Sequence, residues 1–377
     1  MRKEFDMRKV YIIYRSFYDM NGENYTIGGI QTYIRKLIKV IKSKDMIPVI
    51  VQFANIDFIK NFEDIEVWGV DIKNKKREKQ RVRIVLEFLK DKFDYQDILI
   101  FATEDIFVKG LTENSIAIQH GVSWDMQSEE NKNSIKNILK KNIKNYIRVF
   151  NSIKIKNLVC VDYNYINWIK TQIDYIDSKI FVIPNSTNIP INIDKKETEF
   201  IKIIFARRFQ KYRGTRIFSS VVKEILQKYD NVKITFAGEG PDECYLKQLF
   251  ENNDKVDFIS YESNKSQEVH KNYDIAVVPT LASEGTSLSL LEAMSTKCSV
   301  VATAVGGITN IILNRYNGII ILPDRNELFN ALEELILNKQ LRTKIANNAY
   351  LTVKESFNDD IWEKKWGDVL DYVSNKV

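Results

Sequence analysis

Two glutamates, Glu284 and Glu292, stand with seven residues between them in the stretch from Ser283 to Glu292, and this pair could do chemistry. An apolar run, Asp274–Val278, reaches the loop through Pro279. A helix is expected to start near Ser287, and a second β-rich run, Ser299–Thr303, ends at Gly306-Gly307. That order reads as strand, loop, helix, strand and loop in an open α/β sheet, whose ligands sit beyond the carboxyl ends of the strands. Backbone N–H groups at a helix start hold anions, and carboxylates accept hydrogen bonds from sugar hydroxyls. Two carboxylates beside an anion site therefore suit a ligand with both phosphate and hydroxyls, such as a nucleotide sugar. Two plainer readings stay open at this point. Ser289-x-x-Glu292 also fits a capping box, and Gly306-Gly307 also fits an ordinary turn.

Elsewhere the sequence sets bounds. A length of 377 residues exceeds one compact core, so two domains are expected. No apolar run is long enough for a membrane-spanning helix, and the charged start, MRKEFDMRKV, lacks the apolar stretch of a signal peptide. Cys160, Cys244 and Cys298 are scattered in or beside apolar segments and read as buried free thiols of a reducing cytosol. With two histidines, a His-rich metal site is excluded. Residues 1–190 hold 31 of the 56 basic and 24 of the 50 acidic residues, a net of +7, whereas the remainder is net −1. A basic N-terminal half favours an anionic surface or acceptor, membrane lipid or a lipid pyrophosphate, or is simply a solvated face.

The elements that must position the glutamates follow from hydrophobic pattern. Strands are expected at Val10–Tyr14, Pro48–Phe53, Ile98–Ala102, Ser115–Gln119, Leu158–Val161, Ile180–Ile183, Ile201–Phe205, Val232–Ala237 and Val256–Ile259. Lys73–Arg83 reads as a surface helix or mobile loop. Ser134–Phe150 reads as a packed amphipathic helix, with Ile135, Ile138, Leu139, Ile143, Tyr146 and Ile147 on its inner face and interfacial binding the lesser alternative. His270 reads as a surface residue. Asn188–Lys196 is a natural linker, and Trp362, Trp366, Leu370 and Val373 mark a terminal helix.

The composite of EGTSLSLLE, VVATAVGG and NGIIILP (Asn317–Pro323) resembles the core of the retaining family 4 glycosyltransferases. Their motif is Glu, seven residues, Glu, then a strand and a Gly-Gly turn. The resemblance is strong from Lys202 to Pro323 and weaker from Val10 to Thr187. It implies an α/β fold of the GT-B type: two Rossmann-like domains facing across a cleft, with a C-terminal helix crossing back. On this reading residues 1–187 form an acceptor-binding domain, 188–200 the hinge, 201–355 the nucleotide-sugar-binding domain and 356–377 the returning helix.

The resemblance also implies the site. Glu292 would hold the ribose hydroxyls, Glu284 the donor hexose, and the backbone of Gly285, Thr286, Ser287 and Leu288 the sugar or phosphate. Gly28 and Gly29, in Ile27-Gly-Gly-Ile30, match the phosphate-contacting loop of the first domain, although a tight helix-entry turn explains them equally. Gly238 opens a loop near base and phosphates, and Tyr261-Glu262 would border the base. Arg208, Arg213 and Gly214 match an Arg, Lys, Gly pattern, with Arg213 in the place of Lys, and two such cations suit a diphosphate. Arg207 and Lys211 would be solvated spectators. His120, ending its strand ahead of Gly121 and Trp124-Asp125, matches the active-site histidine of the first domain, although a structural role for it remains open.

The implied reaction is transfer of a hexose-type sugar, with retention, from a UDP- or GDP-linked donor to a hydroxyl of a glycan or lipid-linked acceptor in cell-surface polysaccharide synthesis. The leaving phosphate would take the acceptor's proton. No Asp-x-Asp pair occurs in the chain, so no metal and no cofactor beyond the donor are expected. Arg208, Arg213 and helix N-termini would neutralise the diphosphate instead. A cytoplasmic location is expected, with a peripheral contact to anionic membrane through the basic half and no nucleic-acid partner. The rival readings are a nucleotide-sugar 2-epimerase on the same fold and a non-catalytic scaffold.

Overall fold

The computed structural model describes residues 7–26, 28–121, 135–173, 177–193, 195, 198–282 and 284–375. Ile27, Trp124-Asp125, Ser134, Asp194, Lys196 and Ser283, named above, lie outside these residues. The chain builds two sheets. The first contains β1 (Lys9–Tyr14), β2 (Ile47–Ala54), β3 (Phe58–Phe62), β4 (Ile65–Asp71), β5 (Ile98–Phe101), β6 (Ser115–Gln119), β7 (Asn157–Cys160) and β8 (Lys179–Val182). Its spatial order is β3-β4-β2-β1-β5-β6-β7-β8. Around it lie α1 (Gly29–Ser43), α2 (Glu78–Leu89), α3 (Ile135–Ser152) and α4 (Asn164–Lys170).

The second sheet has strands β9 (Ile201–Ala206), β10 (Val232–Ala237), β11 (Val256–Ile259), β12 (Ile275–Val278), β13 (Ser299–Thr303) and β14 (Ile319–Ile321), in the order β11-β10-β9-β12-β13-β14. Its helices are α5 (Thr215–Lys228), α6 (Glu243–Leu249), α7 (Ser266–His270), α8 (Leu288–Ser295), α9 (Arg325–Leu337) and α10 (Lys339–Ser356).

Both sheets are parallel apart from β3, and both are covered on two faces, which is why their strands read as nearly unbroken apolar runs. Alternate residues feed separate cores. From β1, Val10 and Ile12 enter one and Tyr11 and Ile13 the other, and from β9, Ile203 and Phe205 part from Ile204 and Ala206 in the same way. In each sheet the strand order reverses once, between β1 and β5 and between β9 and β12. Such reversals open the crevices that bind ligands.

The last helix, α11 (Asp359–Ser374), belongs to the first domain's core. After α10 the chain crosses back, and Trp362, Trp366, Val369, Leu370 and Val373 pack with Val10, Ile12 and Tyr33. Lys44 Nζ reaches Asp371 at 2.5 Å, and Lys36 pairs with Asp359.

Three expectations are corrected. The α3 face carrying Ile135, Ile138, Leu139, Ile143, Tyr146 and Ile147 is exposed, and α3 buries only Val149 and Ser152, in its last turn. Periodicity reports that a helix is two-faced but not what covers the apolar face. His270 is buried: short α7 packs onto α8, and its Nδ1 lies 2.8 Å from the Ser266 carbonyl oxygen. Cys244 is exposed on α6, while Cys160 and Cys298 are buried. Lys73–Arg77 is an exposed loop, and Glu78–Arg83 are the first turns of α2, which buries Val82, Val85, Leu86 and Leu89.

The antiparallel β3–β4 hairpin was not anticipated. Its turn residues, Glu63 and Asp64, both have positive φ, 47° and 62°. A two-residue turn of that kind normally announces itself as Asn-Gly or Asp-Gly.

Candidate active site

The site grows from the ends of β9 and β12, the pair flanking the reversal in the second sheet. Past Ala206 the chain stays extended, with Arg207 N–H donating to the Ala237 carbonyl and Phe209 N–H to that of Glu239. Side chains alternate along such a segment, so Arg207 and Phe209 turn inward while Arg208 is exposed. The Arg207 guanidinium reaches Glu284 Oε2 at 2.6 Å and also donates to Thr280 Oγ1. Arg213 Nη1 reaches the same carboxylate oxygen at 2.5 Å, and Thr280 Oγ1 donates to it at 2.9 Å. The cation beside Glu284 is therefore Arg207, where the residue count pointed to Arg208. Arg207 is no solvated spectator.

Two guanidiniums share one carboxylate, so the triad carries a net charge of +1 in a largely buried place. Burial alone would raise the Glu284 pKa, but Arg207 and Arg213 outweigh it and hold the group below the usual carboxylate range. An anion brought to the two arginines meets charge that water scarcely screens.

The Glu284 loop is held in shape by the Gly-Gly pair. Gly307 N–H donates to the Glu284 carbonyl at 3.0 Å. Gly306 has φ +52°, and a Cβ there would lie 1.9 Å from that carbonyl oxygen. Gly306→Ala is therefore expected to cost about 2 kcal/mol of stability, from backbone strain and displaced loop. The check is the urea midpoint of the second domain, with loss of nucleotide affinity alongside. An unshifted midpoint would show that the pair is an ordinary turn.

After the loop, α8 begins at Leu288. Ser287 is its N-cap and makes no side-chain capping bond. The first intrahelical bond runs from Leu291 N–H to the Ser287 carbonyl, so the leading N–H groups have no partner within the helix. Ser289 and Glu292 do not form the alternative capping box. The Glu292 carboxylate is turned to Ser266, whose Oγ donates to Oε2 at 2.6 Å. Burial raises the Glu292 pKa, against Ser266 and the more distant Lys36. Tyr261 lies near enough to feel it, its phenol pushed up to about 12 by burial and then by Glu292. Gly238 backs onto Arg207, since a Cβ there would lie 2.4 Å from the Arg207 carbonyl oxygen.

The first domain meets this loop directly. A Cβ on Gly121 would stand 2.7 Å from Gly285 Cα, so the two segments touch across the cleft with no room for a side chain. Thr286 Oγ1 donates to the Val161 carbonyl, and Asn185 Nδ2 donates to the Thr286 carbonyl at 2.8 Å. His120 comes with Gly121. Its Nε2 lies 2.8 Å from the Ala102 carbonyl oxygen, and its ring meets the edge of Tyr33 at 4.9 Å. Burial lowers its pKa to about 4, against Ala102 and Asp105, so the imidazole is neutral at pH 7. As a donor to Ala102 it leaves Nδ1 as an acceptor.

Gly28 and Gly29 stand at the start of α1, beyond β1. A Cβ on Gly29 would meet nothing within 4 Å, so that backbone faces open space. No hydrogen bond joins either glycine to the Glu284 loop among the described residues. Beside the reversal of the first sheet lies a charged cluster that sequence reasoning missed. Arg15 pairs with Glu78 at 2.6 Å and with Asp105, and Glu104 is pushed up to about 7 by burial and then by Asp105. Thr280, Ser266 and Tyr33 were missed as well. Each is a common residue whose position alone gives it meaning.

Residues 188–352 match the family model of the glycosyl transferases group 1. The chain is 25% identical over 355 residues to an uncharacterized glycosyltransferase of Methanocaldococcus jannaschii, covering 90% of this chain and 92% of that protein. A second uncharacterized glycosyltransferase of the same organism is 28% identical over 163 residues, which is 42% of this chain but only 41% of the relative's length. Among solved structures, S. aureus TarM, crystallised with UDP and alpha-GlcNAc-glycerol among its ligands, superposes with a TM-score of 0.74. That likeness covers 97% of this chain and all of TarM at 15% identity, and it places the fold in the GT-B class. The segment matched by the family model, residues 188–352, builds both the Arg207–Glu284–Arg213 triad and α8, and in that segment the chain is similar to the group 1 glycosyltransferases.

Proposed function

We propose that the chain transfers a hexose-type sugar, with retention of anomeric configuration and without a metal, from a UDP- or GDP-linked donor to a hydroxyl of a glycan or lipid-linked acceptor. The observation that carries this reading is the buried triad of Arg207, Glu284 and Arg213 beside the start of α8. Arg207 and Arg213 hold the diphosphate, and the leading N–H groups of α8, with the Gly285–Leu288 backbone, complete its cradle. Glu284 orients the two guanidiniums and contacts the donor hexose. Glu292 takes the ribose hydroxyls, and Tyr261 borders the base. Neutral His120 accepts a hydrogen bond from the hexose across the cleft. Gly28, packed against Gln31, and Gly29, whose backbone is open, lead the start of α1 toward the phosphates.

Charge develops on the leaving diphosphate as the glycosidic bond breaks, so cations fixed there favour the transition state over the ground state. The departing phosphate oxygen takes the acceptor's proton on the same face, and no side chain is needed as base. The setting is cell-surface polysaccharide synthesis at the cytoplasmic face of the membrane, with the basic first domain touching anionic lipid. No helix among the described residues is long and apolar enough to cross a membrane.

The test measures nucleotide release from UDP- and GDP-sugars with and without acceptor. Release that depends on acceptor, and falls about ten- to a hundredfold in Glu292→Ala, is the expected result. Undiminished activity in that variant would overturn the ribose assignment. Epimerised donor without acceptor would point to an epimerase, and binding without turnover to a scaffold.

A further inference from the structure

The strongest feature that the donor site leaves unused is α3. Leu139, Ile143, Tyr146 and Phe150 on its outer face are between 56% and 76% exposed, in company with Ile135 and Ile138. These residues fall on one face at helical spacing. The remaining arc carries Lys136, Lys140, Lys141, Lys144 and Arg148, and the helix contains no aspartate or glutamate. Its last turn fixes it to the body through Val149 and through Ser152, which bonds the Tyr165 hydroxyl. Most of its length is thus an apolar stripe turned to solvent and bordered by cations.

We infer that α3 is the element that docks the protein on an anionic lipid surface, lying in the interface with its apolar face in the headgroup and acyl boundary. This deepens the membrane contact proposed above and assigns it to one helix. Charge selects the occupant. A second copy of α3 against the first would bring cation to cation with no carboxylate to answer it, which opposes symmetric pairing. An anionic bilayer meets both features at once. Lysine stems lie along the apolar boundary with their ammonium groups among the headgroups, and Tyr146 suits the interfacial layer. The helix lies in the β6–β7 connection of the first domain, the connection that leaves from His120 and Gly121. Docking there holds that side of the cleft next to the bilayer, as a lipid-linked acceptor requires.

The experiment is co-sedimentation of the full chain with vesicles of phosphatidylcholine alone or with about one-third phosphatidylglycerol. Binding to the anionic vesicles is expected, weakening as salt rises and falling about tenfold or more in Ile143→Asp/Tyr146→Asp. A surface variant that leaves packing alone, Lys140→Glu/Lys144→Glu, should also weaken it. Nucleotide release in lipid-free solution should stay unchanged in both variants, which separates this inference from the glycosyltransferase reading. Failure of the wild-type chain to bind anionic vesicles at low salt would overturn the inference, as would equal sedimentation of the Asp variant. A dimer in light scattering that Ile143→Asp disperses, with no lipid binding, would assign the face to a second copy instead.

Discussion

Arg207→Met is expected to lower kcat/KM for the donor by about a hundredfold or more, while Arg208→Met loses far less. Arg207 is almost wholly buried and contacts Glu284 and Thr280, whereas Arg208 faces solvent. Removing Arg207 takes away one of the two cations proposed to meet the diphosphate. It also leaves Glu284 buried beside Arg213 alone, which should cost about 3 kcal/mol of stability. The double variant Arg207→Met/Glu284→Gln removes that stranded charge. Urea unfolding should show stability partly recovered in the double variant, with transfer still lost. Recovery of both would make the pair structural only. Equal losses at Arg207 and Arg208 would contradict the inward turn of the segment after β9.

Trp366→Ala should destabilise the first domain by about 3–5 kcal/mol, although the residue lies close to the end of the chain. Trp366 is fully buried, and its Nε1 donates to the Tyr33 hydroxyl at 2.8 Å. The Tyr33 ring in turn meets Trp362 at 5.2 Å and His120 at 4.9 Å. Truncation therefore opens a large cavity under β1 and loosens the support behind His120. Tyr33→Phe keeps the packing and loses only the hydrogen bond, so about 1 kcal/mol is expected there. Because each domain can unfold in its own step, the comparison belongs to the first domain's urea transition rather than to a single midpoint. If Trp366→Ala cost no more than Tyr33→Phe, α11 would be an appendage and not part of that core.

Most strands were legible because a parallel sheet covered on both faces demands continuous apolar runs. Val10–Tyr14 was expected where Lys9–Tyr14 forms, and Ser115–Gln119 where that same strand forms. The terminal helix was legible from the spacing of Trp362, Trp366, Leu370 and Val373. What escaped was information that lies in three dimensions. The choice between Arg207 and Arg208 turns on whether the chain stays extended past Ala206, which two hydrogen bonds to β10 and its loop decide. His270, in a polar sequence context, is buried because α7 packs on α8. The β3–β4 hairpin was hidden by Glu63-Asp64, whose turn conformation their residue types do not advertise. The pattern of α3 was visible, but a packed helix and an uncovered one write the same periodicity.

The most direct test of the central claim is calorimetric titration of UDP and GDP into the full chain, beside Arg207→Met and Glu292→Ala. One nucleotide binding selectively, with affinity lost about tenfold or more in each variant, is the result predicted. Neither nucleotide binding the wild-type chain, or equal affinity in all three proteins, would contradict a donor site built on the Glu284 triad and α8.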